Sequence, residues 1–169
     1  AYANRKFAFV SDYVRLYALY HEGGIYMDTD IEVLKPFDET ILKNNIVFSL
    51  DGEGYLSALM MSVPRQSFFA EMLDFYHNMS FLKDDGSFNM EVNNTFLQKK
   101  LTTLGYKQEN VLQKISDGII FYPDDYFHCR SLVSGKLNKT SNTYTIHWHT
   151  ITWVPMKTRI INFLRIYVI

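Results

Sequence analysis

Two aspartates one residue apart, Asp28 and Asp30, follow directly after the short apolar run at residues 25–27. If this run is a strand, the two side chains point to the same side and Thr29 points to the other. Neighbouring carboxylates repel each other, which raises one pKa unless a cation lies between them. Because Mg²⁺ and Mn²⁺ bind carboxylate oxygens and keep positions open for substrate phosphates, the pair predicts a metal site that also binds a diphosphate.

The same acidic segment admits a second interpretation, a calcium-binding loop. Counted from Asp28, acidic residues occupy positions three, five and twelve of such a loop. Position six is Val33 instead of the required glycine, and Gly23–Gly24 separates the preceding helical pattern from the loop. A calcium-stabilised structural domain is therefore a minor alternative, and it predicts a preference for Ca²⁺ over Mn²⁺.

A second pair of charged residues, Asp12 and Arg15, has the spacing that places both on one face of a helix. Ser11 is a favourable N-cap for this helix, and Gly23–Gly24 ends it. The core face is expected to comprise Tyr13, Leu16, Tyr17 and Tyr20. Considered alone, Asp12 and Arg15 are best explained as a surface ion pair worth less than ~1 kcal/mol.

The elements that position these residues come from a chain in which strand and helix patterns alternate. We predict a strand at the apolar run before Asp28, further strands within residues 44–50, 56–63, 118–123 and 143–153, and helices within 67–79 and 91–105. Strands that alternate with helices favour an α/β fold with a mixed sheet. Because no repeat or linker divides the sequence, we predict a single domain over residues 1–169.

The composition limits the classes of protein. The chain has 169 residues, of which 47% are hydrophobic and 16% aromatic, so it is long and apolar enough for a globular core. A net charge of −1 supplies no basic surface for nucleic acid, and we expect no nucleic-acid partner. The single cysteine, Cys129, excludes an intrachain disulfide and fits a reducing, cytoplasmic compartment.

The C-terminal segment, residues 155–169, mixes basic and apolar residues as an amphipathic helix does. This helix is interpreted either as one that docks on the core or as one that contacts a membrane surface. No apolar run in the sequence approaches the roughly 20 residues that span a bilayer. We therefore expect a cytoplasmic protein with peripheral contact at the inner face of the membrane through this segment.

Residues 9–38 closely resemble a signature block of the GT-A glycosyltransferases, which share the pattern SDxxRxxxLxxxGGxYxDxD. The defined positions of that pattern are matched from Ser11 to Asp30. The group that the block resembles most is glycosyltransferase family 32, which includes bacterial capsular-polysaccharide sugar transferases and fungal initiating mannosyltransferases. The clostridial glucosylating toxins carry a similar block. The resemblance implies a GT-A-like, Rossmann-like mixed sheet flanked by helices.

This resemblance implies a role for each charged residue of the block. Asp12 and Arg15 would hold hydroxyl groups of a donor sugar, which reverses the preference for a surface ion pair. Asp28 and Asp30 would place Mn²⁺ or Mg²⁺ against the donor diphosphate, with Asp30 as the more direct ligand. These four residues form the predicted catalytic set, and Tyr26 is predicted to contact the donor.

Residues 144–153, YTIHWHTITW, are similar to an IHxWxxSW-like element near the C-terminal end of the same enzymes. We therefore predict His147, Trp148 and Trp153 as donor-binding residues, and His147 also as a metal ligand. From the residue types alone, the spacing of His147 and His149 suits zinc, but no cysteine pair or third histidine nearby completes a tetrahedral set. Histidines that bond within an aromatic strand are an equally good explanation.

The predicted function is metal-dependent transfer of a sugar from a UDP- or GDP-sugar to a carbohydrate or glycolipid acceptor, with retention of configuration. The resemblance suggests a role in bacterial capsular polysaccharide or lipopolysaccharide synthesis. Related enzymes carry further N-terminal strands that hold the nucleotide base, and we expect those strands to be missing here. The alternative is a noncatalytic module that binds a nucleotide-sugar or carbohydrate without turnover.

Overall fold

The computed structural model describes residues 1–50, 52, 54, 57–89 and 93–150. The helices are α1 (Phe7–His21), α2 (Glu39–Leu42), α3 (Ser67–His77), α4 (Asn93–Thr103) and α5 (Asp124–Phe127), with short 3₁₀ helices at Tyr2–Asn4 and Ser116–Gly118. The strands are β1 (Gly24–Met27), β2 (Ile31–Val33), β3 (Ile46–Ser49), β4 (Leu59–Ser62), β5 (Gln113–Lys114), β6 (Ile119–Tyr122) and β7 (Thr145–His147). Trp153 and the predicted helix at 155–169 lie outside the described residues.

The strands form a five-stranded sheet and a separate two-stranded sheet. The larger sheet has the order β1-β4-β3-β6-β5, in which β3 and β6 are parallel and the other neighbours are antiparallel. The smaller sheet pairs β2 with β7 in antiparallel register. The predicted α/β class with a mixed, helix-flanked sheet of the GT-A-like type is confirmed. The prediction of a single domain over 1–169 stays a prediction.

The central strands are buried on both faces, which gives the fold its layers. Every residue of β3 and β4 is buried. Because side chains alternate along a strand, Ile46 and Phe48 pack into the core on the side of α1, α3 and α4, whereas Val47 packs into the core formed with α2 and α5. Full burial of a side chain such as Phe48 stabilises the fold by about 1.5–3 kcal/mol.

Helix α1 differs from its prediction at the start and on its buried face. It begins at Phe7, so Ser11 is not the N-cap; its hydroxyl donates to the Ala8 carbonyl at 2.7 Å, as serine does inside a helix. Leu16 and Leu19 are the fully buried apolar residues, and Tyr17 is 47% exposed. The prediction that Tyr17 lies in the core is therefore wrong. Asp12 and Arg15 are buried in its place, although the helical pattern predicts them at the surface.

The end of α1 agrees with its prediction. Gly23 adopts a φ of 69°, in the left-handed region that favours glycine. A Cβ atom at Gly23 would lie 2.8 Å from Pro64 and from the carbonyl oxygen of Ser62. The chain therefore needs glycine here to pass close to the end of β4 before it enters β1.

Asp28 and Asp30 lie in a turn and not in a strand. The prediction that strand alternation places their side chains on one side is therefore wrong. Strand β1 ends at Met27, and the chain then reverses into β2, with the Ile31 amide donating to the Asp28 carbonyl at 3.1 Å. Thr29 is exposed and the two aspartates are partly buried, so they do share a side. The turn produces this arrangement, whereas strand alternation does not.

Across the described residues, no helix combines the length and the apolar character needed to cross a bilayer.

Candidate functional site

Two elements far apart in sequence bring three potential metal ligands together. The β1–β2 turn carries Asp28 and Asp30, and β7 carries His147 opposite Ile31 in the small sheet. One ligand atom from each of the two aspartates and His147 lies within 4.8 Å of the other two. Two carboxylate oxygens and one imidazole nitrogen fit a divalent first-row ion that accepts carboxylate ligands, such as Mn²⁺. The donor set is therefore chemically suited to the predicted cation.

The segment from His147 to Thr150 wraps around Asp30. The Nε2 atom of His147 lies 3.1 Å from Asp30 Oδ1, and the Trp148 amide donates to the Asp30 carbonyl at 2.9 Å. Thr150 donates to Asp30 Oδ2 from its amide at 2.7 Å and from its hydroxyl at 3.0 Å. Burial raises the pKa of Asp30, but the hydrogen bonds from His147 and Thr150 outweigh it and hold this pKa below its usual range. Asp30 is therefore ionised at neutral pH.

Arg15 connects the two predicted groups of charged residues, since it contacts both Asp12 and Asp28. Its Nη2 atom lies 3.4 Å from Asp12 Oδ1, and its Nη1 atom lies 3.5 Å from Asp28 Oδ1. Nη1 also donates to the Ser57 carbonyl at 2.8 Å, and Nε donates to the Ser11 carbonyl at 3.3 Å. Asp12 and Arg15 are 9% and 7% exposed, so the interpretation as a surface ion pair is wrong. The guanidinium instead forms a fixed cationic bridge between Asp12 and Asp28.

Asp12 also contacts the first residue of α4. Its Oδ2 atom accepts a hydrogen bond from the Asn93 amide at 3.1 Å, so the carboxylate lies at the N-terminus of an 11-residue helix. Burial raises the pKa of Asp12, and the neighbouring Arg15 charge and the Asn93 amide oppose that shift without cancelling it. The side chain of Asn93 is itself buried, and its Nδ2 atom has no hydrogen-bond partner among the described residues.

Tyr26 contacts the charged residues on the Asp28 side of the site. Its hydroxyl donates to Asp28 Oδ1 at 2.7 Å, and its ring lies 4.7 Å from the Arg15 guanidinium carbon. Burial raises the pKa of Tyr26 well above its usual range, and the Asp28 carboxylate adds to that shift. Tyr26 is therefore a neutral hydrogen-bond donor that orients Asp28, and its predicted contact with a donor stays a prediction.

Trp148 follows β7 and presents its ring beside the cluster. The ring is 41% exposed, and its Nε1 atom donates to Glu32 Oε2 at 2.9 Å. Arg130 donates to the Trp148 carbonyl at 2.9 Å and lies over the ring at 5.8 Å. Of the predicted strand at 143–153, β7 covers Thr145–His147, and the chain leaves the sheet at residues 148–150 to reach Asp30, while residues 151–153 lie outside the described part of the chain. An exposed, fixed indole face of this kind suits stacking against a sugar ring.

Two further histidines pack against His147. His149 adopts a φ of 52°, its ring lies 3.9 Å from that of His147, and its Nε2 atom donates to the Arg130 carbonyl at 3.0 Å. Burial lowers the pKa of His149 to about 4. His128 is buried 5.2 Å from His147 and bonds to Ser49 Oγ at 2.5 Å. These bonds agree with the interpretation of histidines bonded within an aromatic segment. The structure nevertheless places a third histidine, His128, beside the pair, which was not expected from the sequence, and Ser49 occupies its Nε2 atom.

Sequence reasoning missed several residues that contact the site, among them Thr150, Asn93, Ser57 and Glu32. Thr150 directly follows the histidine motif, and that proximity was the one signal for it. Asn93 begins α4 and Ser57 lies just before β4, and the sequence carries no chemical motif at either position. Glu32 contacts Trp148 because β2 and β7 pair, and β2 was not predicted.

The N-terminal part of the chain matches a known family. Residues 1–47 match the family model described as a glycosyltransferase sugar-binding region containing the DXD motif. The predicted resemblance to DxD glycosyltransferases is confirmed. The matched range contains Asp12, Arg15, Tyr26, Asp28 and Asp30, and glycosyltransferase is the enzyme class that it supports. His147 lies outside the range, so its assignment rests on the geometry of the cluster.

Two curated fungal proteins are similar to this chain. "Glucan organizing enzyme 1" of Cryptococcus neoformans is 34% identical over a match that covers 43% of this chain and 22% of the relative. "Inositol phosphoceramide mannosyltransferase 1" of Schizosaccharomyces pombe is 34% identical over 41% of this chain and 21% of the relative. The matches thus cover about a fifth of the length of these relatives. No solved structure matches the chain significantly.

Proposed function

We propose that this chain forms the donor-sugar and metal site of a glycosyltransferase that uses a nucleotide-diphosphate sugar. The contact of Arg15 with both Asp12 and Asp28 is the observation that carries this proposal. In a nucleotide sugar the sugar is bonded directly to the diphosphate. In the protein, the proposed sugar-binding pair likewise lies next to the proposed metal-binding cluster. One donor molecule can therefore contact the pair with its sugar and the metal site with its diphosphate.

Each residue has a distinct task in this proposal. Asp28, Asp30 and His147 would hold Mn²⁺ or Mg²⁺, and a cation bound there would supply positive charge beside the donor diphosphate. Asp12 accepts hydrogen bonds from donor hydroxyls, and Arg15 donates to them from a position that its buried contacts fix. For His147 to act as a ligand, its Nε2 atom must exchange the contact with Asp30 for a bond to the cation.

The finer features are proposed from the resemblance and the relatives. We propose retention of configuration, a UDP- or GDP-sugar as donor, and a carbohydrate or glycolipid as acceptor. The name of the relative that acts as an inositol phosphoceramide mannosyltransferase supports a glycolipid among these acceptors. A role in bacterial capsular polysaccharide or lipopolysaccharide synthesis rests on the resemblance alone, since both relatives are fungal. A cytoplasmic location with peripheral membrane contact through 155–169 rests on composition alone.

A second candidate is a noncatalytic module that binds a nucleotide-sugar. It would use the same Asp12–Arg15 pair and the same Asp28–Asp30–His147 cluster for binding. Both candidates predict metal-dependent donor binding. Only the enzyme releases nucleoside diphosphate when donor and acceptor are supplied together.

The first test is a titration of the chain with UDP, GDP and their sugars in the presence of Mn²⁺, followed by tryptophan fluorescence. Asp30→Asn removes a charged ligand, and Asp84→Asn removes an exposed carboxylate elsewhere as a matched control. We expect metal-dependent binding that Asp30→Asn abolishes and Asp84→Asn preserves. If wild-type protein binds no nucleotide at saturating Mn²⁺, the proposed donor site is wrong for this chain.

A further inference from the structure

The two carboxylate oxygens of Asp30 have different surroundings. Oδ2 accepts two hydrogen bonds, from the Thr150 amide at 2.7 Å and the Thr150 hydroxyl at 3.0 Å. Oδ1 instead lies 3.1 Å from His147 Nε2, within the Asp28–Asp30–His147 cluster. We infer that Thr150 is a positioning residue that restricts Asp30 to ligation through Oδ1 and thereby sets which cation the site prefers. This inference rests on the proposed metal-dependent function.

The restriction follows from the bonding capacity of a carboxylate. An ionised carboxylate has about four lone-pair sites, two on each oxygen. The two donors of Thr150 fill both sites on Oδ2, so a cation that used this oxygen would have to displace one of them. Only Oδ1 is then available on the side of His147.

Ligation through one oxygen favours some cations over others. Ca²⁺ takes six to eight oxygen ligands and often binds a carboxylate through both oxygens, whereas Mg²⁺ requires near-octahedral geometry at shorter distances. A carboxylate that offers a single oxygen therefore disfavours Ca²⁺ relative to the smaller cations Mg²⁺ and Mn²⁺. Thr150 would act as the residue that sets this preference, although it binds no cation itself.

The backbone around Thr150 is built to bring it to Asp30. Ile31 pairs with His147 in the small sheet, and the Trp148 amide donates to the Asp30 carbonyl, which anchors the chain beside the turn. His149 then adopts a φ of 52°, a left-handed conformation that L-residues rarely take. This residue redirects the chain so that the amide and hydroxyl of Thr150 both reach Oδ2. Thr150 is itself exposed, so its substitution leaves the core intact.

The experiment measures cation affinity directly. Mn²⁺ binding is followed by the electron paramagnetic resonance signal of the free ion, with Ca²⁺ as competitor, in wild-type protein, Thr150→Val, Thr150→Ser and Asp30→Asn. Thr150→Val keeps the shape and the amide but removes the hydroxyl donor, and Thr150→Ser keeps both donors. We expect Thr150→Val to weaken Mn²⁺ binding by about tenfold, as loss of a bond to a metal ligand does. Ca²⁺ binding should fall less, and Thr150→Ser should resemble wild type.

Each outcome decides between separate claims. If Thr150→Val keeps the wild-type Mn²⁺ affinity and the wild-type preference for Mn²⁺ over Ca²⁺ while Asp30→Asn loses binding, the role of Thr150 is wrong and the metal site stands. If Asp30→Asn also binds Mn²⁺ like wild type, the metal site itself is wrong, and the inference fails together with the proposed function. Circular dichroism confirms that each variant is folded.

Discussion

The guanidinium of Arg15 lies 3.5 Å from Asp28 Oδ1, which links helix α1 to the turn that carries the DxD motif. The same guanidinium contacts Asp12, so it is shared between two carboxylates in a buried position. Because this one cation contacts both carboxylates, changes at Arg15 should affect both stability and donor binding.

Arg15→Met should destabilise the fold by about 3–5 kcal/mol, because it leaves the buried Asp12 carboxylate without its cation. Urea unfolding measures this change. Arg5→Met alters an exposed arginine and serves as the control. A loss below about 1 kcal/mol, the value of a surface ion pair, would contradict the structural role of Arg15.

Tyr26→Phe removes the hydroxyl that donates to Asp28 and keeps the ring beside Arg15. The expected cost is about 1.5–3 kcal/mol in unfolding free energy, since one hydrogen bond to a charged acceptor is lost. Mn²⁺ affinity should also fall, because Asp28 loses the contact that orients it. Calorimetry measures both quantities. Tyr17→Phe, at an exposed tyrosine of α1, should change neither.

Donor binding should weaken at acid pH because Asp12 gains a proton. Burial raises the pKa of Asp12, so this carboxylate gains a proton at a higher pH than an ordinary aspartate. Sugar binding requires the ionised form and should therefore weaken as pH falls through that pKa. Affinity for the donor is measured from neutral to acid pH in wild type and in Asp12→Asn. The residual donor affinity of Asp12→Asn should not fall over this pH range. An identical fall in both proteins would show that a group other than Asp12 titrates.

A separate pH effect is expected at the Tyr144–Asp38 pair. The hydrogen bond to Asp38 raises the pKa of Tyr144 to about 12. A raised pKa means that the pair stabilises the fold fully below the unfolded-state pKa of tyrosine. That stabilisation is lost as pH rises through about 12. Thermal unfolding at alkaline pH should show a smaller loss in Tyr144→Phe than in wild type, with Tyr17→Phe behaving like wild type. Tyr26, whose pKa is also raised, contributes its own loss equally in all three proteins.

Gly23→Ala should be more destabilising than Gly24→Ala. Both glycines have positive φ, at 69° and 91°, so each alanine pays a similar backbone cost of about 1 kcal/mol. A Cβ atom at Gly23 would meet Pro64 and Ser62 at 2.8 Å, whereas the space around Gly24 is open. The difference in unfolding free energy between the two variants isolates the close approach. Equal losses would show that this contact relaxes without cost.

The sequence predicts the parts of this molecule that local patterns determine. The end of α1 follows from Gly23, and the buried strands β3 and β4 follow from their apolar runs. A motif of fixed spacing was enough to single out Asp12, Arg15, Asp28 and Asp30. Residues that meet only through long-range contacts leave no motif of fixed spacing in the sequence.

Residues that reach the site by long-range contacts escaped prediction for a physical reason. Thr150 contacts Asp30 because β2 pairs with β7 and His149 turns the chain back. Asn93 meets Asp12 because α4 begins beside α1. The burial of Asp12 and Arg15 was missed because helical periodicity assigns charged residues to solvent, and here tertiary packing overrides that rule.

The pairing of β2 with β7 has a consequence for how the site forms. The range that matches the family model, residues 1–47, holds both aspartates but neither His147 nor Thr150. During synthesis the DxD turn therefore emerges long before the strand that completes it, and a loop of more than 100 residues must close first. The family segment is for this reason not a portable unit: transplanted alone into another scaffold, it would keep Arg15 and Tyr26 beside Asp28 but lose His147 and Thr150, which contact Asp30.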